Sequence, residues 1–529
     1  MPVNFKIPRI IVVGLLLAAS LSACGGSTSS TTSLTTSNNL VVRLSGDIDT
    51  LDPAKAQQTY SYQVIEALYD RLVSIQDGKV VSYLAQSWTQ TADSVSLVMR
   101  SGVKCDDGTE MTPSVAAASL RRLGDPKTGA PYSSLVFGSS GYSVTANDSA
   151  RTLNIHTNKP FSDLLYGLAQ PMASIVCPAG LKNPASLQSG GFGTGPYELR
   201  AAVRGSSYTL KPRAGYAWGP VPGAQYPKQL TFRVVASEST ATNLLLSGGL
   251  DIAQLTGANA LRLSGNKTFR AVTEPIYGSF YLVFNERPGH PGADPQVRKG
   301  LATAIDSQAY NKTAFDGSGT VSTSIFSPSM PCYSKVIDTP VTSGNAPAAK
   351  SLLATSGWVT SGGALAKEGK PLSVKIVGTN DTYQPGSEYI LSTFKSLGVA
   401  ATLRVGDINT FAQTLFGTGD WDVAVYPFTP LAQAPSALNL FLSGPPSPKG
   451  ANYADVQNSA FNQAGTLALS TLGAERCAHW ADAQRALVSA SDVFPLVTAN
   501  QQWFVRGGSN IGLIGGGTGF DVHSLTASK

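Results

Sequence analysis

Apolar and polar positions follow two rhythms along the chain. Val95, Leu97 and Met99 recur at every second position of 94–100, which sets one face of a strand against a core. Leu230, Phe232 and Val234 do the same within 230–235, and short apolar runs at 40–44, 153–157, 372–377, 400–405 and 421–426 read as further strands. Elsewhere the period lengthens. Ile65, Leu68, Tyr69 and Leu72 form a helical stripe over 61–73, with Ser61 as its N-cap. Val297, Leu301 and Ile305 recur every four residues after Asp294-Pro295, a capping Asp followed by Pro in the first turn. Pro113 opens a helix over 114–123 in the same way. Others are expected at 239–247, 346–355, 389–397, 411–416 and 477–489, with Gly357 and Gly398 as stops. Residues 273–285, crowded with Tyr277, Phe280, Tyr281 and Phe284, read as one strand. Short strands alternating with helices define an α/β fold.

Composition sets the scale. At 529 residues the chain is too long for one hydrophobic core, so two or three are expected. Charged residues make up 14% against about 25% in ordinary domains, which leaves a surface of Ser, Thr, Asn, Gln and Gly. The net charge of +6 is spread thinly with no Lys/Arg stripe, so nucleic acid is not an expected partner.

The first residues carry the sharpest local signal. Lys6 and Arg9 precede an apolar run at 10–19, too short for a lasting membrane span, and Leu21-Ser22-Ala23-Cys24 follows. This reads as a signal peptide over 1–23, and the last four residues resemble a bacterial lipobox, which implies acylation of Cys24. An ordinary signal peptide with a coincidental cysteine is the alternative. Residues 24–39 are almost entirely Ser, Thr, Gly and Asn, too polar to offset chain entropy by burial, and read as a flexible tether. Lipid chains on Cys24 would hold the protein at the outer face of the membrane.

Beyond Cys24 the cysteines are Cys105, Cys177, Cys332 and Cys477, an even set in an oxidising compartment with three possible pairings. No CxxC or Cys/His spacing suggests zinc, so no metal is expected. His156, His290, His479 and His523 lie far apart and read as isolated surface or satisfied core residues. Asp106-Asp107 reads as a solvated turn. Neither a GxSxG elbow nor HExxH appears, and Gly193-Thr194-Gly195-Pro196 leads into an extended segment where a phosphate loop would need Lys-Ser/Thr and a helix. No cofactor is expected.

In order, the chain carries Asp49-Thr50-Leu51-Asp52-Pro53, Ala67-Leu68-Tyr69-Asp70-Arg71-Leu72, Leu84-Ala85-Gln86-Ser87-Trp88, the 97–109 stretch, Gly193-Thr194-Gly195-Pro196-Tyr197, Ser247-Gly248-Gly249-Leu250-Asp251-Ile252, Phe284-Asn285, the 294–306 helix and Trp421-Asp422-Val423-Ala424. This succession resembles the extracytoplasmic solute-binding proteins of the dipeptide/oligopeptide type (family 5) that serve ABC importers. The resemblance implies a two-lobed α/β fold of the periplasmic-binding-protein type (type II), with an extra subdomain inserted in lobe I. Carried over, lobe I comprises 40–83, 190–272 and 500–529, the insertion 84–189, and lobe II 273–499. It also implies a monomer that closes by hinge bending on a small solute and is then recognised by permease subunits. Disulfides between lobes would prevent opening, so Cys105–Cys177 and Cys332–Cys477 is the implied pairing.

Peptide-binding members of that family hold the ligand ammonium with an Asp in the loop that follows the strand 421–426. Here that loop contains Phe428, Thr429 and Leu431 and no acid; Phe428 matches an aromatic position and Leu431 falls where the Asp is expected. The ligand charge is therefore met by another acid, or the ligand is blocked, uncharged or not a peptide. From lobe I, Gln57, Gln58, Thr59 and Tyr60 are implied to lie beside the ligand, or else to cap the next helix. Tyr277, Tyr281 and Trp503, near the expected crossings between lobes, read as core. The alternatives to a peptide importer are a receptor of the same fold for an oligosaccharide, opine or metal chelate, a non-transport sensor lipoprotein, and, further off, a secreted hydrolase.

Overall fold

A computed structural model describes residues 39–76, 78–220, 226–380, 383–427, 434–507, 510–514 and 519–526. The expected signal peptide, Cys24 and all but the last residue of the tether lie outside these. Two mixed sheets organise the chain. The first has the spatial order Phe269–Pro275, Asn500–Arg506, Ile252–Leu255, Asn39–Leu44, Gln229–Val234, Ser207–Pro212, Tyr197–Val203. Its centre is parallel: Leu40 stands opposite Leu230 and Val42 opposite Ile252, and the outer strands pair antiparallel. The second has the order Thr320–Val321, Val493–Thr498, Phe280–Phe284, Val423–Pro427, Ser373–Thr379, Ala400–Gly406, with Ser373–Thr379 parallel to both its neighbours. These are the sheets of two lobes.

Residues 273–285, expected to form one strand, form parts of two. Phe269–Pro275 is an edge strand of the first sheet, and Phe280–Phe284 is an inner strand of the second. All five residues of the inner strand are buried, because both faces of this sheet are covered. Phe280, Leu282 and Phe284 enter one apolar cluster, and Tyr281 and Val283 the other. Ile276 to Ser279 make one crossing between lobes, and Ala499 the other. The amide of Ile276 donates to the carbonyl of Ala499 at 3.0 Å, so the two crossings run side by side. Tyr277, Tyr281 and Trp503 are buried.

The helix expected at 61–73 runs over Thr59–Leu68, with Gln58 as N-cap. Ser61 does not cap it. Its hydroxyl, fully buried, donates to Asp49 Oδ1 (2.5 Å) and accepts from the Asp49 amide (3.0 Å). The helix stops early because the next residues are claimed elsewhere. The carbonyl of Leu68 accepts from Gly195, the carbonyl of Arg71 accepts from Leu84, and the Asp70 carboxylate takes bonds from Thr194, Trp218, Tyr216 and Tyr83. A Cβ on Gly195 would come within 2.4 Å of the Leu68 carbonyl carbon, so the Gly-Thr-Gly-Pro segment needs glycine for this close approach. The helix expected at 389–397 starts earlier, at Gln384–Leu397, with Pro385 in its first turn.

Within 84–189 a four-stranded antiparallel sheet has the order Ala85–Gln90, Ser94–Met99, Thr152–Thr157, Tyr142–Asn147. Val95, Leu97 and Met99 are buried and join Leu40, Val42 and Leu44 of the first lobe in one continuous apolar cluster. Cys105 pairs with Cys177 in this segment, and Cys332 with Cys477 in the second lobe. Each bridge stays on one side of the crossings and leaves the lobes free to move.

Candidate functional site

In open α/β sheets, ligands sit beyond the carboxyl ends of the parallel strands, where no side chain from the strand itself fills the space. Here the carboxyl ends of Asn39–Leu44, Gln229–Val234 and Ile252–Leu255 face the second lobe, and a cavity of about 700 Å³ opens between them. The first lobe supplies Arg43, Glu238, Gln254, Thr256 and Gln502; the second supplies Thr313, Asp316 and Tyr383. Among the described residues this cavity is lined from both lobes and is the candidate cleft.

Two of its three charged groups, Arg43 and Glu238, are engaged, while Asp316 is exposed. Arg43 is 5% exposed and donates to three main-chain carbonyls, those of Val235 (2.9 Å), Gln254 (2.6 Å) and Ala236 (2.8 Å). Burial draws its guanidinium pKa down, and Glu238 opposes that shift. Glu238 itself accepts from the Thr256 amide (2.9 Å) and hydroxyl (3.1 Å). What the wall offers a solute is therefore amide and hydroxyl chemistry together with the one exposed carboxylate of Asp316. An arginine inside the apolar run 40–44 was the sequence signal for this wall, and sequence reasoning passed over it.

The residues singled out from the sequence stand at the entry of the helix Thr59–Leu68. Gln57 is exposed, with its amide donating to Asp49 Oδ2 at 2.8 Å. Gln58, Thr59 and Tyr60 are half-buried, and Gln58 caps the helix through its carbonyl, which accepts from Ser61 (3.0 Å), with no side-chain bond to the helix. The Tyr60 ring lies on Gly46, where a Cβ would approach it to 2.8 Å. Burial first, then Asp49 and Asp47, pushes the Tyr60 phenol up. None of these four residues lines the cavity described above. Phe428, Thr429 and Leu431 lie outside the described residues. The chain returns at Ala434 and enters the helix Ser436–Leu442.

The acids near this entry are occupied. Asp49 holds Ser61, Thr50 and Gln57, and Asp47 accepts from Tyr208 Oη (2.5 Å) and the Gly205 amide (2.9 Å). Asp52, 1% exposed, forms a two-pronged pair with Arg122 at 2.9 and 2.5 Å. A second buried pair joins Asp163 to Arg476, with Arg476 Nε 2.7 Å from Asp163 Oδ1. The partners are 313 positions apart, and nothing in the sequence couples them. His523 is also buried, between Tyr83 Oη (2.5 Å) and Tyr226 Oη (3.2 Å). Among the described residues no group of three or more His, Cys, Asp or Glu side chains could hold a metal ion, and no helix is long and apolar enough to cross a membrane.

Comparison with known proteins places this geometry. The glutathione-binding protein GsiB of Escherichia coli (strain K12) is 30% identical over 299 residues, covering 55% of this chain and 57% of the relative. The chain thus matches a little over half the length of that relative. A substrate-binding protein from Microbacterium hydrocarbonoxydans complexed with 4-hydroxybenzoate hydrazide is 28% identical and superposes with a TM-score of 0.77 over 93% of this chain and all of that one. The oligopeptide-binding protein AppA of Bacillus subtilis, in complex with a nonapeptide, shares the fold at 19% identity, with a TM-score of 0.77 over 93% of this chain and 99% of that one. The model of bacterial extracellular solute-binding proteins, family 5, matches residues 79–448, and the chain belongs to that family.

Proposed function

We propose that the chain is the solute-capturing subunit of an ABC importer, which takes a peptide-like solute between its lobes by hinge closure and delivers it to permease subunits. The observation that carries this reading is the paired crossing at Ile276–Ser279 and Ala499. Two adjacent main-chain strands join sheets that share no disulfide, so the lobes can rotate about them while the strand ends close on a solute. The domain boundaries read from the sequence serve as the assignment: 40–83, 190–272 and 500–529 for lobe I, 84–189 for its insertion and 273–499 for lobe II. Acylated Cys24, followed by the tether, holds this monomer at the outer face of the membrane.

The solute is one that presents no free ammonium to the loop after Val423–Pro427. The sequence of that loop has no acid, and Asp47 and Asp49 of lobe I are already hydrogen-bonded. An unpaired ammonium buried there would cost several kcal/mol. GsiB is named for glutathione, and the Microbacterium relative holds a hydrazide; both printed ligands fit a cleft of amides and hydroxyls that binds a compact polar solute. Gln57, Gln58, Thr59 and Tyr60 of lobe I, which stand outside that cavity, and Phe428, Thr429 and Leu431 of lobe II are the further contacts this reading takes from the sequence.

Native mass spectrometry of the protein purified from its own host tests this reading. It is expected to retain a small solute of peptide-like mass, and titration calorimetry is expected to show glutathione, whose ammonium sits beside its own carboxylate on a γ-linked glutamyl arm, binding more tightly than tripeptides with an ordinary α-linked free N-terminus. Leu431→Asp should reverse that order. A preparation that binds neither, or a variant whose preference does not move, would remove this solute class.

A further inference from the structure

The lobes meet at a second place besides the crossings. On the 84–189 segment, Asp163 is fully buried, yet every hydrogen bond described for its carboxylate comes from the second lobe. Arg476 grips Oδ1 through Nε at 2.7 Å and through Nη2, and the Ser436 amide donates to Oδ2 at 2.8 Å. Arg476, 5% exposed, also lies 4.9 Å from the centre of the Tyr166 ring and donates to Cys332 Sγ at 3.2 Å. Next to the pair, Ser162 donates its amide to the carbonyl of Leu469 (3.0 Å) and its hydroxyl to that of Ala468 (2.8 Å). Those carbonyls belong to the last turn of the helix Ser459–Ser470, where they have no partner within the helix. The contact thus satisfies, across a boundary, groups that water could satisfy equally well once the surfaces part.

Its packing is mixed: Leu135 of the 84–189 segment is buried in the second lobe's apolar cluster, while the space beside it stays unfilled. A cavity of about 150 Å³ remains between Ser134, Phe161 and Lys159 on one side and Asn439, Leu440 and Leu469 on the other. Contacts that separate are polar and imperfectly filled, whereas permanent ones are apolar and close-packed.

We propose that Asp163 and Arg476 are a closure latch: they pair when the lobes shut, bias the chain toward the shut arrangement, and slow the escape of a captured solute. The proposal rests on the hinge-closure reading above. A lone charge left in this interface has no compensation, so removing one partner disfavours the shut state far more than the intact pair favours it. With the lobes apart both groups are hydrated, and the fold loses little.

Hydrogen-exchange mass spectrometry of the purified chain tests this without any solute. Asp163→Asn is expected to speed exchange in 160–170, 434–442 and 466–476 by roughly a hundredfold while the strands of both sheets keep their protection. The double variant Asp163→Asn/Arg476→Gln should exchange no faster there than Asp163→Asn, because the partners act as a unit. Ser162→Ala, a milder change, should speed the same segments by a few-fold and decides the matter if Asp163→Asn does not fold. Unchanged exchange in those segments, or an equal loss of protection throughout both sheets, would overturn the latch. With glutathione as the probe, its dissociation should quicken in Asp163→Asn by a similar factor, and an unaltered rate would count against the latch. If glutathione does not bind the unaltered chain, the solute reading fails, and the exchange comparison alone supports or overturns the latch.

Discussion

Two buried Asp–Arg pairs in this molecule use the same chemistry in different settings. Asp52 and Arg122 lie inside one continuous apolar cluster that includes Leu51, Ala54, Leu120 and Leu123. Asp163 and Arg476 join the 84–189 segment to the second lobe and are flanked by main-chain hydrogen bonds and an unfilled cavity. A buried ion pair contributes little net stability in either place, because desolvation offsets attraction. What differs is the alternative open to each. In the first pair the Asp52 carboxylate can reach water only if the core unfolds, although Arg122 keeps a partly exposed edge; the second pair can reach water by a hinge movement. The surroundings of a salt bridge therefore decide whether it serves as cement or as a switch.

Removing one partner from each pair separates these roles most sharply. Asp52→Asn leaves the half-buried Arg122 uncompensated at the edge of the core and should cost about 3 kcal/mol of unfolding free energy, the lower end for a broken buried pair. Asp163→Asn should cost well under half of that in urea unfolding, since the chain can open and hydrate Arg476 without unfolding. Equal losses would erase the distinction.

The disulfides extend the test. Cys332–Cys477 neighbours Arg476, whose guanidinium touches Cys332 Sγ, while Cys105–Cys177 is buried within the first cluster. Replacing either bridge by a pair of serines should lower stability by about 2–4 kcal/mol. Only the Cys332→Ser/Cys477→Ser variant should also speed hydrogen exchange at 434–442, because only that bridge holds the start of the helix Gly473–Ser489 under Arg476.

A third charged cluster, far from the cleft, supplies the contrast in pH. Glu286 faces Arg298 at 3.0 Å, and Arg298 also holds Asp492 at 2.9 Å. Burial, reinforced by Asp492 and opposed by Arg298, pushes the Glu286 pKa up to about 8. In the unfolded chain this carboxyl titrates near its ordinary value of 4.5, so between about 4.5 and 8 the folded state binds a proton that the unfolded state does not. Stability from this group is present below pH 4.5 and falls as pH rises through 8. Glu286→Gln should flatten that decline, which a shift from 4.5 to about 8 puts on the order of 5 kcal/mol, measured by urea unfolding across the range, without altering exchange at the Asp163–Arg476 contact.

Much of this architecture was legible in the chain. Alternation at Val95, Leu97 and Met99, the Asp294-Pro295 start and the Gly398 stop each act through their own neighbours, so local pattern was enough. Where reading failed, a distant group had intervened. The run 273–285 looked like one strand because burial on both faces hides where an edge strand ends and an inner strand begins. Ser61 looked like a cap, but Asp49 claims its hydroxyl. The site was legible only in part. Gln57 to Tyr60 were read from the motif around Asp49 and Asp52 but do not line the cavity, whose wall of Arg43, Gln254, Thr256 and Gln502 is gathered from separate strands and left no motif. Asp163 and Arg476 likewise meet only after both lobes have formed, and no periodicity records such a meeting.

The smallest expected effect concerns the lobe I entry and asks whether it belongs with the cement or with the moving parts. Gln58 caps the helix Thr59–Leu68 through its carbonyl, so its side chain is not needed for folding. Gln58→Ala should therefore change unfolding free energy by less than about 0.5 kcal/mol, as an ordinary surface change does. If the amide reaches the solute, the loss of one neutral hydrogen bond should weaken binding by roughly three- to tenfold, about 0.5–1.5 kcal/mol. Calorimetry on the co-purifying solute reads that difference directly. A variant that destabilises the fold and leaves affinity unchanged would return Gln58 to the role of a helix cap and move the solute's first-lobe contacts toward Gln254, Thr256 and Gln502, where the cavity wall already offers amides and a hydroxyl.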